Sequence, residues 1–303
     1  MVTSSVSVAV LDMQEISKQP EKMVKALERW GCFRLINHGI PINLMSEMKA
    51  TVLSLFDLPL EVKQRNSYPG TLMGYIPIYV SSPVTESMGV FDMAKPEAVD
   101  EFCDQLDVSP QQRESMLKYS ETVSAIADEL GRKMMENFGL AGENLFKGWS
   151  SHLRLNRYCN NAQTVGSTVG QRHSDESFLT ILLDDERVGG IEILDEQTEE
   201  WFPVSPMPGA LLINTGDIAK AWSNGRFCNV KHRVQSREPK VRVSIAYFIL
   251  GPRDTKVESP SKLVDSEHPQ LYVPFDFKEY SKLYFSSSQC ANGGALEFFH
   301  CAN

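Results

Sequence analysis

At about residue 150 the hydrophobic period of this chain changes from helical to extended, and no other feature constrains its fold as much. Beyond that point come the short β-rich runs HLRLNRY, FLTILL, GGIEIL, WFPVS, GALLINT, KHRVQS and VRVSIAYFIL, separated by turn-forming stretches such as DEQTEE and SNGR. About seven or eight strands with no helix between them predict a barrel or a two-sheet jelly roll. Before residue 150 the pattern is mostly helical. EKMVKALERWG carries apolar residues at Met23, Ala26, Leu27 and Trp30 and closes on Gly31, which suits the residue just past a helix end. CFRLIN then reads as a strand. Ser109 as N-cap and Pro110 at the first helical position open a long amphipathic helix through Met116, Val123, Ile126, Leu130, Met134 and Phe138 to Gly139. The tail PFDFKEYSKLYF reads as a helix that packs across one mouth of the β-core. No linker or repeat interrupts the chain, so a single α+β unit is expected. Its parts are a mainly helical region at 1–150 packing on the core, the β-core at 151–255, and a C-terminal loop and helix at 256–303.

The stretch GQRHSDESFLTILLDD places His173 and Asp175 two apart at the entrance to an apolar run. With 6 His and 15 Asp in 303 residues, roughly 0.3 such tripeptides arise by chance, so the tripeptide alone decides nothing. In a strand, however, alternate side chains share a face, and both groups would then reach one ion. His232, on the predicted strand in NVKHRVQS, is the candidate third ligand. Two imidazoles and a carboxylate leaving open positions suit non-haem Fe(II) oxygen chemistry. A hydrolytic zinc site uses the same donors, so ligand identity does not separate the two.

The strand VRVSIAYF presents Val241, Val243, Ile245 and Tyr247 on one face and Arg242, Ser244, Ala246 and Phe248 on the other. An arginine on the interior face of a covered strand needs an anion. With a hydroxyl two residues away it matches a carboxylate. The other reading of Arg242 is an ion pair with an acidic residue of the core. HLRLNRY puts His152, Arg154, Asn156 and Tyr158 on one face, where Asn156 and Tyr158 offer neutral hydrogen bonds to an acidic ligand. Phe248 is a candidate substrate contact, with core packing as its other reading. In the loop LMGYIPIYV, residues 72 to 80, Tyr75 and Ile78 are candidate pocket walls. His38, His268 and His300 sit beside glycine, proline or the terminus and read as structural.

A net charge of −9 with no Lys/Arg cluster argues against nucleic-acid or anionic-membrane surfaces. The N-terminus lacks a basic region and a long apolar run, so neither a signal peptide nor a spanning helix is expected. Six scattered cysteines with no CxxC predict free thiols in a reducing, cytoplasmic setting. Composition leaves monomer and homodimer equally open.

The order His-x-Asp, distant His, then Arg-x-Ser ten residues on resembles the plant soluble 2-oxoglutarate-dependent dioxygenases. ALERWGCFRLINHGIP, LFDLPLEVKQR and NTGDIAKAWSNGRFCNVKHRV resemble further blocks of that family, so nearly the whole chain is covered. The resemblance implies a double-stranded β-helix (jelly-roll) core wrapped by helices, with Fe(II) held by His173, Asp175 and His232. It also implies 2-oxoglutarate bound through Arg242 and Ser244 with support from Asn156 and Tyr158, and ascorbate as reductant. In that family the cosubstrate is oxidatively decarboxylated to succinate and carbon dioxide while O2 oxidises a substrate bound alongside. Two positions depart from the pattern: Ser174 stands where threonine is commoner, and Cys159 where proline is usual. Within the family, ERWGCF, GVFDM, FCDQLDVSPQQRESMLKY, CNVKHRVQ and LGPRD resemble the subgroup that oxidises auxin, which implies indole-3-acetic acid as substrate. Alternatives are a related dioxygenase acting on a gibberellin, flavonoid or other small acid, and a non-catalytic small-molecule-binding protein on the same fold.

Overall fold

The computed structural model describes residues 8–68, 73–78, 82, 84–140, 144–287 and 289–301. Eleven strands among these form two sheets. Three come from the first 150 residues: β1 (Val10–Asp12), β2 (Cys32–Ile36) and β3 (Thr85–Phe91). The others are β4 (Trp149–Cys159), β5 (Thr168–His173), β6 (Leu179–Leu183), β7 (Ile191–Asp195), β8 (Glu200–Pro203), β9 (Leu211–Thr215), β10 (His232–Gln235) and β11 (Val241–Pro252). The major sheet runs β1-β2-β9-β6-β11-β4-β3 and the minor sheet β5-β10-β7-β8. Only β1 and β2 pair in parallel. This is the expected double-stranded β-helix core with flanking helices.

The first 150 residues do more than pack on that core, because β1, β2 and β3 complete both edges of the major sheet. The segment TESMGVF gave no period-2 signal because β3 is buried along nearly its whole length, on both faces. Its Gly89 is required by space: a Cβ there would lie 1.8 Å from the Met73 carbonyl oxygen and 2.4 Å from His152 Nε2.

Seven α-helices are described: α1 (Pro20–Arg29), α2 (Ile42–Phe56), α3 (Leu60–Lys63), α4 (Pro96–Gln105), α5 (Pro110–Asn137), α6 (Asp217–Trp222) and α7 (Phe277–Tyr284). The expected end of α1 is found, with Gly31 at φ 64° and no room for a side chain beside the Cys228 carbonyl. The start of α5 is a reciprocal capping box between Ser109 and Gln112. α6 interrupts the β-region between β9 and β10, where no helix was expected; DIAKAW is too short to show a helical period.

α2 and α5 cover the outer face of the major sheet, where Val243, Ile245 and Tyr247 of β11 are buried. Tyr247 meets Ser124 of α5 through its hydroxyl at 3.1 Å. Burying such a side chain stabilises by about 1.5–3 kcal/mol, which fixes the outer face of β11. Pleating then turns Arg242, Ser244, Ala246 and Phe248 inward, between the sheets. All six cysteines are free thiols. No helix among the described residues is long and apolar enough to cross a membrane.

Candidate active site

Between the sheets lies a cavity of about 480 Å³, a size typical of small-molecule sites. The minor sheet supplies His173 and His232. Although 59 residues separate them in sequence, they are directly paired neighbours on antiparallel strands β5 and β10, and their rings lie 4.2 Å apart. Asp175 arrives differently from the expectation. β5 ends at His173, so Asp175 lies in the connection to β6 rather than on a shared strand face. Tertiary contacts aim its carboxylate: Oδ2 accepts hydrogen bonds from Thr180 Oγ1 and Asn214 Nδ2, each at 2.6 Å. Its Oδ1 faces His173 Nε2 at 3.6 Å and His232 Nε2 at 3.7 Å. Potential ligand atoms of all three residues lie within 4.8 Å of one another.

The protonation pattern suits a cation. His173 Nδ1 contacts the Gln171 carbonyl at 2.7 Å and His232 Nδ1 that of Val230 at 3.2 Å. With Nδ1–H donating to a carbonyl, each ring leaves Nε2 as a lone-pair donor aimed at Asp175. Burial, aided by the neighbouring imidazole of His232, holds the His173 pKa down to about 4. Burial also works against the Asp175 charge, but the two imidazoles, Thr180 and Asn214 more than offset it and keep the carboxyl below its ordinary pKa. Two imidazoles and a carboxylate with one side open are a donor set that could hold a metal ion.

The major sheet supplies the opposite wall. Arg242 is 1 % exposed and donates from Nη2 to Asp184 Oδ1 at 2.5 Å, so the ion-pair reading of this residue is realised. It accounts for only part of the guanidinium. Nε and Nη1 are buried with no hydrogen-bond partner, so the guanidinium still has donors to offer an anionic ligand. Burial opposes the charge, and Asp184 and Tyr158 outweigh it, leaving the Arg242 pKa above its ordinary value. Tyr158 lies across from Arg242 in the β4–β11 register, its ring 4.7 Å from the guanidinium carbon. Asn156 lies across from Ser244, donates to its Oγ at 3.3 Å and accepts from Ser87 Oγ at 2.8 Å. All four residues expected at an anion site therefore meet at one place on the cavity wall.

The substrate-side expectations divide. Phe248 lines the cavity and stacks on His152 at 6.1 Å and 24°. Tyr75 and Ile78 do not line it. Tyr75 donates its hydroxyl to Glu86 at 3.0 Å and lies against Lys63. The walls from this loop are Met73 and Ile76 instead, because the bridge between Ile76 and Ser87 turns Ile76 inward. Leu72, Tyr79 and Val80 of the same loop lie outside the described residues.

Several lining groups gave no sequence signal of their role. Arg154 faces the cavity between two small residues, Gly89 of β3 and Ala246 of β11. Burial lowers its pKa, while Tyr158, Tyr284 and Glu176 act in the opposite sense. Glu176 is buried beside Asp175, with its pKa pushed up to about 8 by desolvation. Thr180 and Asn214 lie on β6 and β9, whose apolar pattern masks them, and Asp184, which pairs with Arg242 without lining the cavity, follows the end of β6.

Residues 149–251 match the family model of the 2OG-Fe(II) oxygenase superfamily, and residues 6–123 that of the non-haem dioxygenase in morphine synthesis N-terminal region. The 2-oxoglutarate-dependent dioxygenase DAO of Oryza sativa subsp. indica is 43% identical over 282 residues, covering 92% of this chain and 93% of the rice protein. Dioxygenase for auxin oxidation 1 from Arabidopsis thaliana, solved in a binary complex with 2-oxoglutarate, superposes with a TM-score of 0.84 at 48% identity, over 87% of this chain and 100% of that one. The crystal structure of rice dioxygenase for auxin oxidation gives a TM-score of 0.89 at 40% identity, over 97% of this chain and 100% of that one. A metal-binding face, a half-satisfied buried arginine and relatives alike along nearly the full length lead to one conclusion: this chain belongs to the 2-oxoglutarate- and Fe(II)-dependent dioxygenases, and is an oxidoreductase of that family.

Proposed function

We propose that this chain oxidises indole-3-acetic acid to 2-oxindole-3-acetic acid, with Fe(II) held by His173, Asp175 and His232. 2-Oxoglutarate is anchored through Arg242 and Ser244, with Asn156 and Tyr158 in support. The carrying observation is the pair of arginines in one cavity. Arg242 stands across from Tyr158 and Arg154 across from Ala246, four residues apart, or roughly 13 Å along the sheet. Two cations at that separation suit two acids bound side by side. Arg154 lines the same cavity as His173, Asp175 and Glu176, so a substrate carboxylate paired with it would lie within the space those residues bound. Phe248, stacked on His152, and the half-exposed Phe285 supply flat apolar walls for an indole ring. The names of the similar proteins from rice and Arabidopsis support the same substrate.

When bound, Fe(II) supplies O2 activation coupled to decarboxylation of 2-oxoglutarate. The protein's own work is positioning. His173 and His232 turn their Nδ1 atoms to backbone carbonyls and their Nε2 atoms to Asp175, and Thr180 and Asn214 hold Asp175 in one orientation. Arg242, with donors left over from its pair with Asp184, holds the far carboxylate of the cosubstrate, and apolar groups line much of the remaining cavity. Ascorbate serves as the reductant that maintains Fe(II), and the free thiols accord with a cytoplasmic enzyme.

The test is aerobic incubation with Fe(II), 2-oxoglutarate and ascorbate, comparing indole-3-acetic acid with a gibberellin, a jasmonate and a flavonoid by mass spectrometry. The expected result is a one-oxygen product from indole-3-acetic acid with matching succinate. Succinate coupled to another acid rejects the auxin assignment and keeps the mechanism.

A further inference from the structure

Three consecutive residues at the metal-binding face, Ser174, Asp175 and Glu176, are each tied to the same distant segment, the C-terminal arm formed by α7 and the turn at Cys290–Gly294. Tyr284 donates its hydroxyl to the Ser174 carbonyl at 2.7 Å, and Ser174 N–H donates to the Ala291 carbonyl at 3.1 Å. Both peptide units flanking Ser174, between His173 and Asp175, are thereby held. Ser281 Oγ donates to Glu176 Oε2 at 2.9 Å. Tyr280 donates to Asp217 Oδ2 at 2.6 Å, and the Asp217 N–H in turn donates to the Asp175 carbonyl at 2.9 Å. Tyr280, Ser281 and Tyr284 occupy positions i, i+1 and i+4, one face of a helix.

The arm is itself fixed to the core. Phe277 packs on Gly251 of β11 so closely that a Cβ there would lie 2.5 Å from its ring. Tyr284, Phe285, Ser287 and Ala291 of the same arm line the cavity. One segment therefore holds the loop carrying Asp175 and walls the space beside it.

We infer that the C-terminal arm positions the metal centre, with Tyr284 as its principal positioning residue, and couples metal binding to occupancy of the cavity. This rests on His173, Asp175 and His232 being the metal ligands. A ligand loop held from outside binds its ion without first losing conformational freedom. The coupling follows by reciprocity, since a segment that stabilises the metal-bound loop is stabilised by the metal in return.

The experiment is isothermal titration of the intact metal-free protein with Co(II) in the presence of 2-oxoglutarate. A single site lost in His232→Ala is the starting point. Its persistence in that variant would overturn the ligand assignment rather than the role of the arm. Tyr284→Phe removes one hydroxyl, and the expected result is a Co(II) Kd raised about tenfold, as for other groups that orient metal ligands. Ser281→Ala is expected to shift it in the same direction and serves if Tyr284→Phe fails to fold. Wild-type Kd values in both variants, even with a lowered Tm, would overturn the positioning role. Hydrogen exchange in the peptide covering 277–287 is expected to slow when Co(II) and 2-oxoglutarate are added. Unchanged exchange would overturn the coupling.

Discussion

Arg242, on the cavity wall, forms a buried ion pair with Asp184, Nη2 to Oδ1 at 2.5 Å, with side chains 1 % and 5 % exposed. The pair does not exhaust either partner, because Arg242 Nε and Nη1 and Asp184 Oδ2 have no hydrogen-bond partner. A buried guanidinium left partly unsatisfied is costly on its own, and an anionic ligand relieves that cost. Arg242→Lys keeps a cation for Asp184 and removes the guanidinium fork, so the KM for 2-oxoglutarate should rise about tenfold or more with a smaller change in kcat. Arg242→Ala strands the Asp184 carboxylate and should also cost about 3–5 kcal/mol of stability. Steady-state kinetics and denaturant melts separate the two effects, and an unchanged KM in Arg242→Lys would remove Arg242 from the cosubstrate site.

His232→Ala removes one of three donors and should abolish Fe(II)-dependent turnover while the far-ultraviolet circular dichroism stays as in the wild type. Asn214→Ala is gentler, since it deletes one of two hydrogen bonds to Asp175 Oδ2. Metal affinity should fall about 10- to 100-fold. Measurable turnover in His232→Ala, or wild-type affinity in Asn214→Ala, would contradict these roles.

If Arg154 receives the substrate carboxylate, Arg154→Met should weaken indole-3-acetic acid by about 2–5 kcal/mol in kcat/KM, the range for losing one partner of a buried charge pair. The KM for 2-oxoglutarate should change far less. Indole-3-ethanol, which lacks the carboxylate, provides the control. The variant should lose the preference for the acid over the alcohol, and a preserved preference counts against Arg154.

His152 gives a stability signature independent of the metal. Burial holds its pKa down to about 3 from an ordinary 6.5, with Arg154 adding to the effect and the hydrogen bond to the Met73 carbonyl opposing it. In this window the unfolded chain binds a proton that the folded protein does not. The contribution of the neutral ring is therefore complete above pH 6.5 and is lost as pH falls toward 3. Each such proton amounts to about 1.4 kcal/mol per pH unit. Urea melts between pH 6.5 and 5 should show a slope flatter by about that amount in His152→Gln than in the wild type. Equal slopes would mean that His152 titrates normally.

The sequence alone determined the class of architecture, the ends of the two principal helices and part of the cavity lining: His173, Asp175, His232, Arg242, Ser244, Asn156, Tyr158 and Phe248. It did so wherever one residue's neighbours along the chain impose a period or a cap. The alternation in VRVSIAYF is legible because helices bury one face of β11 and a cavity meets the other. Ser109, Pro110 and Gly139 mark the limits of α5 because cap chemistry is local. β3 was not legible, since a strand buried on both faces has no alternation to read. Tertiary structure decided the rest. The approach of Asp175 depends on Thr180 and Asn214, and the shared wall of Tyr284 depends on a helix about 100 residues downstream. The partner of Arg242 is Asp184, 58 residues away. A hydrogen bond or ion pair leaves no period in the chain, because its strength depends on distance and burial in space, and these exist only after the two sheets have closed over the cavity.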